Sequence, residues 1–212
     1  MLIIFDCDGV LIDSERIVNQ VFSECLAQLG LHLTLDETIQ TFKGHTTADC
    51  IAMAERLLGK PIDPDALLEN YNRLSNGRME TELQAIPGIA DVLANLSNPK
   101  CVASNSGHRH IKMGLEQTGL MPYFTPHIFS ANDVARPKPA PDLFLHAAHT
   151  MGFAPQDCVV VEDSPAGVKG AIAAGMKVFG FSDLTPASAL QDAGAHPFSS
   201  MTELPALLAS VT

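Results

Sequence analysis

Long hydrophobic runs are missing from this chain: no apolar stretch approaches the ~18 residues that a membrane-spanning helix needs. Its short apolar start has no basic leader and ends in acids, which argues against a signal peptide. Basic residues are scarce, with 13 Lys and Arg against 24 Asp and Glu and a formal net charge of −11. No Lys/Arg cluster relieves that balance, so nucleic acid is excluded as a partner. An anionic substrate would depend on local positive charge. The five cysteines (Cys7, Cys25, Cys50, Cys101 and Cys158) are scattered and form no C-x-x-C pair. They read as reduced thiols of a cytoplasmic protein rather than as disulfides or a zinc site. Internal repeats and low-complexity tracts are also absent. What is present is a 212-residue chain with 46% hydrophobic residues, enough for one domain or two small ones.

The apolar run Leu2-Ile3-Ile4-Phe5 reads as a strand buried on both faces, as in the middle of a parallel sheet. Asp6 and Asp8 follow it, then Gly9. Open α/β sheets bind ligands at the carboxyl ends of their strands. Two acids at such an end are costly without a cation or hydrogen bonds. A polar strand-to-loop turn is the competing explanation, and the rest of the chain decides between them.

Residues 15–85 read as helical. The spacing predicts a helix over 15–29 capped by Ser14 and ended by Gly30. Thr34-Leu35-Asp36-Glu37 has the spacing of a capping box. Further helices are predicted over 47–58, closed by Gly59, and from Asp63-Pro64 to about residue 74. From residue 87 strands and helices alternate: helix 87–96, strand 101–104, helix 107–119, strand 127–130, helix 139–152, strand 158–161, helix 164–175 and strand 177–181, with weaker signals beyond. That alternation argues an α/β fold, a doubly wound parallel Rossmann-like sheet. The predicted organisation is a core of 1–14 and 86–212 with an α-helical cap, 15–85, inserted into it.

Three further polar groups fall at predicted strand ends. Ser104-Asn105-Ser106-Gly107 leads into a helix whose exposed N–H groups suit an anion, although a plain helix cap would look the same. In Arg136-Pro137-Lys138-Pro139-Ala140-Pro141-Asp142 the prolines bias their predecessors toward extended backbone and hold a cationic head in a stiff loop. Val161-Glu162-Asp163-Ser164 adds two acids at the same edge as Asp6 and Asp8. Together these make a hard oxygen cluster of the kind that suits Mg²⁺.

This ordered set, from Asp6-Cys7-Asp8-Gly9-Val10-Leu11 through Ser104-Asn105 and Lys138 to Glu162-Asp163-Ser164 with Ala166-Gly167, resembles the haloacid dehalogenase superfamily of phosphohydrolases. The likeness is greatest to its β-phosphoglucomutase-like branch, and within that to phosphatases of the sugar-phosphate and 6-phosphogluconate type. The resemblance implies that Asp6 is a nucleophile forming an aspartyl-phosphate and Asp8 the acid and base. It implies that Ser104, Asn105 and Lys138 bind the phosphoryl group. Mg²⁺ would be held by Asp6, Asp8 (through its carbonyl), Asp163 and Glu162, the last directly or through water. Lys43, Gly44 and His45 would meet the substrate from the cap. His108, Arg109 and His110 read as surface, and Asp13 as structural.

Mutases of this branch carry a cap histidine and a cap-loop arginine where this chain has Val18 and Thr47, which favours a phosphatase. Dehalogenases lack the second aspartate, so Asp8 argues against carbon–halogen chemistry. The expectation is a Mg²⁺-dependent phosphatase acting on a small phosphorylated metabolite as a monomer or weak homo-oligomer, free of membrane and nucleic acid. The alternatives are a β-phosphoglucomutase-like isomerase and, in another class, a receiver-type phospho-accepting signalling domain.

Overall fold

In a computed structural model describing residues 1–211, strand β1 (Leu2–Phe5) is fully buried. It lies between β2 (Lys100–Ser104) and β4 (Cys158–Glu162), parallel to both, with Ile4 level with Cys101 on one side and Val160 on the other. Side chains alternate faces along a strand. Leu2 and Ile4 join Leu143, Phe144 and Ala147 of α7 (Asp142–Met151) and Val168 and Ala171 of α8 (Pro165–Ala173) in one apolar cluster. On the other face, Phe5 meets Phe124 edge-on at 5.9 Å between ring centroids. Cover on both faces explains why the strand is apolar without alternation.

The complete sheet is parallel and six-stranded in the order β3-β2-β1-β4-β5-β6, with β3 Ile128–Ser130, β5 Lys177–Phe181 and β6 His196–Phe198. The chain moves outward from β1 to β2 and β3, then crosses to β4. The direction of winding therefore switches beside β1, where ligand crevices form in such sheets. Being parallel, β1, β2 and β4 all present their carboxyl ends at one edge.

The chain divides into two compact units, one of Met1–Asp13 with the chain from Gln84 onward and the other Ser14–Leu83. The second is helical: α1 (Ser14–Gln28), α2 (Leu35–Phe42), α3 (Thr47–Leu58) and α4 (Pro64–Glu82). Thr34 and Glu37 close the reciprocal capping box that their spacing predicts, and Gly59 ends α3 at φ 69°. Asp63 caps α4 by accepting the N–H groups of Asp65 and Ala66, with Pro64 as the first helical residue.

Four expectations change. Helix α1 already includes Ser14, so the cap position moves upstream of it. Helix α4 continues to Glu82 rather than stopping near 74. Asn76 and Gly77 are weak helix formers, but Arg78 binds both carboxylate oxygens of Glu24 on α1, at 2.9 and 2.8 Å, and Met79 is buried. Packing thereby overrides propensity. Helix α7 begins at Asp142, since the proline loop before it stays irregular. A sixth strand, β6, forms where sequence signals are weak. Among the described residues no helix is long and apolar enough to cross a membrane.

Candidate active site

Asp6 lies one residue beyond β1, and its N–H donates to the carbonyl of Val161 at 2.9 Å, which fixes it beside the end of β4. Lys138 reaches the same place from the proline loop. Its backbone is gripped by one side chain: Asn105 Oδ1 accepts the Lys138 N–H at 2.9 Å, and Asn105 Nδ2 donates to the Lys138 carbonyl at 3.1 Å. The Lys138 stem then crosses the ring of Phe144, with Nζ 4.9 Å from the centroid. The ammonium donates to Asp6 Oδ1 at 2.8 Å and to Glu162 Oε1 at 2.7 Å. Glu162 is completely buried, and its other oxygen accepts the N–H and hydroxyl of Ser164 at 2.8 and 2.9 Å.

Asp163 completes the group. The carboxylates of Asp6, Glu162 and Asp163 offer oxygens within 4.8 Å of one another. Gly9 leaves room for Asp163: its φ is +76°, and a Cβ there would stand 2.5 Å from Asp163 Oδ2. The Gly9→Ala protein is therefore expected to lose about 2 kcal/mol or more of stability, from left-handed strain together with crowding of a carboxylate. Its activity should fall with it, and chemical denaturation alongside phosphate release checks both.

Asp6 and Glu162 both face the Lys138 ammonium, and the electrostatics show it. Burial pushes the Asp6 carboxyl up to about 7, with Glu162 adding to the rise and Lys138 opposing it. Burial works against the charge on Lys138, but Asp6 and Glu162 outweigh it and raise its affinity for the proton. A divalent cation would bring positive charge to the three carboxylates of Asp6, Glu162 and Asp163, whose oxygens converge. The donor set is all-oxygen and suits Mg²⁺.

Asp8 sits apart from that cluster. Its Oδ2 accepts the hydroxyl of Ser106 at 2.6 Å, and its Oδ1 faces His110 Nε2 at 2.8 Å. His110 lies in the first turn of α6 (His108–Gln117), and its bond to Asp8 holds its pKa above the ordinary value. The reading of His110 as surface is thus corrected: the phase of α6 turns its ring to a loop about a hundred residues away in sequence. His108 pairs with Asp133 at 2.8 Å, and Arg109 is exposed. Ser104 is buried, its oxygen accepting the Ser106 N–H at 3.1 Å. Sequence reasoning missed Ser106 and His110 as partners of Asp8. The one available signal was a hydroxyl and two imidazoles within a turn of a strand end.

In the helical unit, Lys43 forms an ion pair with Glu15 at 3.0 Å and Gly44 takes a φ of +83°. His45 lines a cavity of about 550 Å³ together with Val18, Phe22, Thr47, Tyr71 and Asn72. Val18 and Thr47, the two positions that the resemblance contrasts with mutases, both line that cavity.

The doubly wound sheet thus carries acids and a buried lysine at its carboxyl edge. Residues 3–181 match the model of the haloacid dehalogenase-like hydrolases, and the chain belongs to that family as an enzyme of its phosphatase class. It is 32% identical over 179 residues to 6-phosphogluconate phosphatase of Escherichia coli (strain K12), covering 84% of this chain and 81% of that protein. It is 31% identical over 176 residues to fructose-1-phosphate phosphatase YqaB of the same organism, covering 82% and 92%. Among solved structures it resembles a haloacid dehalogenase-like protein of unknown function from Agrobacterium tumefaciens str. C58, with TM-score 0.92, 42% identity and 99% and 97% of the two chains covered. It also resembles a HAD family hydrolase from Deinococcus radiodurans R1 with bound phosphate and sodium, with TM-score 0.90, 34% identity and 99% and 95% coverage.

Proposed function

We propose that this chain is a Mg²⁺-dependent phosphatase that hydrolyses a small phosphorylated metabolite, a sugar or sugar-acid phosphate, through an aspartyl-phosphate on Asp6. The observation that carries this reading is the buried contact of Lys138 with both Asp6 and Glu162, which holds a nucleophilic carboxylate still and leaves a third ammonium N–H to donate. That remaining donor, with the Ser104 hydroxyl, takes the phosphoryl oxygens as charge shifts among them. Both side chains of Asn105 and Glu162 serve this arrangement by fixing Lys138.

An oxygen of Asp6 attacks phosphorus in line. As the bond to the leaving oxygen breaks, a proton passes from the Asp8 carboxyl to that oxygen. Asp8, now a carboxylate, then takes a proton from the water that attacks the aspartyl-phosphate. Inorganic phosphate leaves, and Asp6 and protonated Asp8 are restored. Asp6 and Asp163 would hold the Mg²⁺ with the carbonyl of Asp8, and Glu162 would join them directly or through water. When bound, the ion supplies positive charge that keeps Asp6 ionised and lets an anionic phosphate approach it. The bound phosphate of the Deinococcus radiodurans relative and the names of the two Escherichia coli relatives support the substrate class.

The test is release of inorganic phosphate from a panel holding fructose 1-phosphate, glucose 6-phosphate, 6-phosphogluconate, phosphoglycolate and nucleotides. Interconversion of sugar 1- and 6-phosphates outrunning release would replace the phosphatase reading with a mutase. A metal test stands beside it. Ten millimolar Mg²⁺ is expected to raise the Tm of the wild-type protein, by roughly 2 kcal/mol of linkage at tens of times Kd. The same addition should leave the Tm of Asp163→Asn nearly unmoved, and chelation should abolish turnover. An equal shift in both proteins would remove Asp163 from the metal site.

A further inference from the structure

Asp8 must be aimed as well as protonated. A general acid works only within hydrogen-bond reach of the atom it serves, and small misplacements cost much of the rate. Asp8 lies three residues beyond β1 in a turn bridged to Ile12, and that backbone bridge does not by itself set the direction of its carboxyl. We propose that Ser106 and His110 are positioning residues for Asp8, a two-point clamp that sets the orientation in which its carboxyl meets the leaving oxygen. The inference rests on the reading of Asp8 as the acid.

The clamp is built from separate pieces of chain. Ser106 grips Oδ2 at 2.6 Å from the turn after β2, and His110 grips Oδ1 at 2.8 Å from the first turn of α6. Ser106 is itself held on two sides: its N–H donates to Ser104 Oγ at 3.1 Å, and its carbonyl accepts the hydroxyl of Ser130, at the end of β3, at 2.8 Å. A line of hydrogen bonds therefore runs from the end of β3 through the end of β2 to the loop after β1. Two oxygens held by two independent donors leave a carboxylate little rotational freedom.

Stability does not account for this arrangement. The His110 and Asp8 side chains are 33% and 24% exposed, and pairs so open to water contribute only about 0–1 kcal/mol. The apolar cluster under the sheet includes neither residue. Because the clamp adds little to the fold, its consequence lies in where it points Asp8.

The test uses the leaving group. p-Nitrophenolate departs without a proton, whereas a sugar alkoxide needs one. The value of kcat/KM reports the steps up to phosphoryl transfer. Ser106→Ala and His110→Leu are each expected to lower kcat/KM about tenfold or more for the best sugar phosphate of the panel, part of the ~10²–10⁴ that acid catalysis supplies. For p-nitrophenyl phosphate the same variants should fall by less than about threefold. That retained activity also certifies that they are folded. His110→Gln, which keeps a donor of similar reach, should recover most of the loss. Equal losses on both substrates, or none on the sugar phosphate, would overturn the clamp. Asp8→Asn separates the two levels: if it discriminates between the substrates and the clamp variants do not, only this inference fails. If Asp8→Asn treats both alike, the acid role of Asp8 falls and the clamp with it.

Discussion

Asp6→Asn is expected to cut phosphate release by at least about 10³-fold on every substrate, since removing a nucleophile costs more than removing a group that assists it. The fold should survive. Asparagine keeps an oxygen for Lys138, and Lys138 keeps Glu162 as its counter-charge at 2.7 Å. Burial already resists ionisation of Asp6, so a neutral amide of the same shape removes a charge that the site holds with difficulty. Its stability should stay within about 1 kcal/mol of wild type. Phosphate release, mass spectrometry for the acyl-phosphate after rapid quench, and a denaturation curve measure the three parts. Full activity in this variant would end the case for Asp6 as nucleophile, whatever the substrate.

Lys138→Met is expected to act on both stability and turnover. The ammonium is nearly sealed from solvent, with 3% of its side chain exposed, and it neutralises two buried carboxylates at once. Methionine fills similar volume and can rest against Phe144, but it leaves Asp6 and Glu162 facing each other without the ammonium that joins them. Removing one partner from a buried pair costs about 3–5 kcal/mol, most of it the penalty of the stranded charge. The denaturation midpoint should fall accordingly, and turnover should be lost where protein remains folded. Adding Glu162→Gln should return part of the stability, because it removes one stranded charge, without returning activity. A double variant no more stable than Lys138→Met would show that the loss arises from packing around Phe144 rather than from charge.

Much of the fold and part of the site are legible in order along the chain. Leu2–Phe5 reads as a buried strand because both its faces are covered, and a two-sided strand is apolar at every position. Capping residues at Thr34, Asp63 and Ser164 mark helix starts because an exposed N–H needs a local oxygen, and local needs leave local signals. The end of α4 is not legible, since Arg78 and Glu24 meet across 54 residues of sequence and hold a helix that Asn76 and Gly77 would otherwise stop. The acids and the lysine stand out because charge beside a buried strand is expensive. His110 does not, because an imidazole in the first turn of a helix looks the same whether it meets water or Asp8.

From the amino-acid order alone came the candidate groups and their places at strand ends, because hydrophobic period and capping chemistry are properties of neighbours. Only the tertiary structure decided which oxygen each group faces: Asn105 against the backbone of Lys138, Glu162 behind the ammonium, and Ser106 with His110 on Asp8. Those pairings depend on the register of parallel strands and the rotation of a helix about its axis. Both are settled by packing summed over the whole sheet, and no short stretch of sequence contains them.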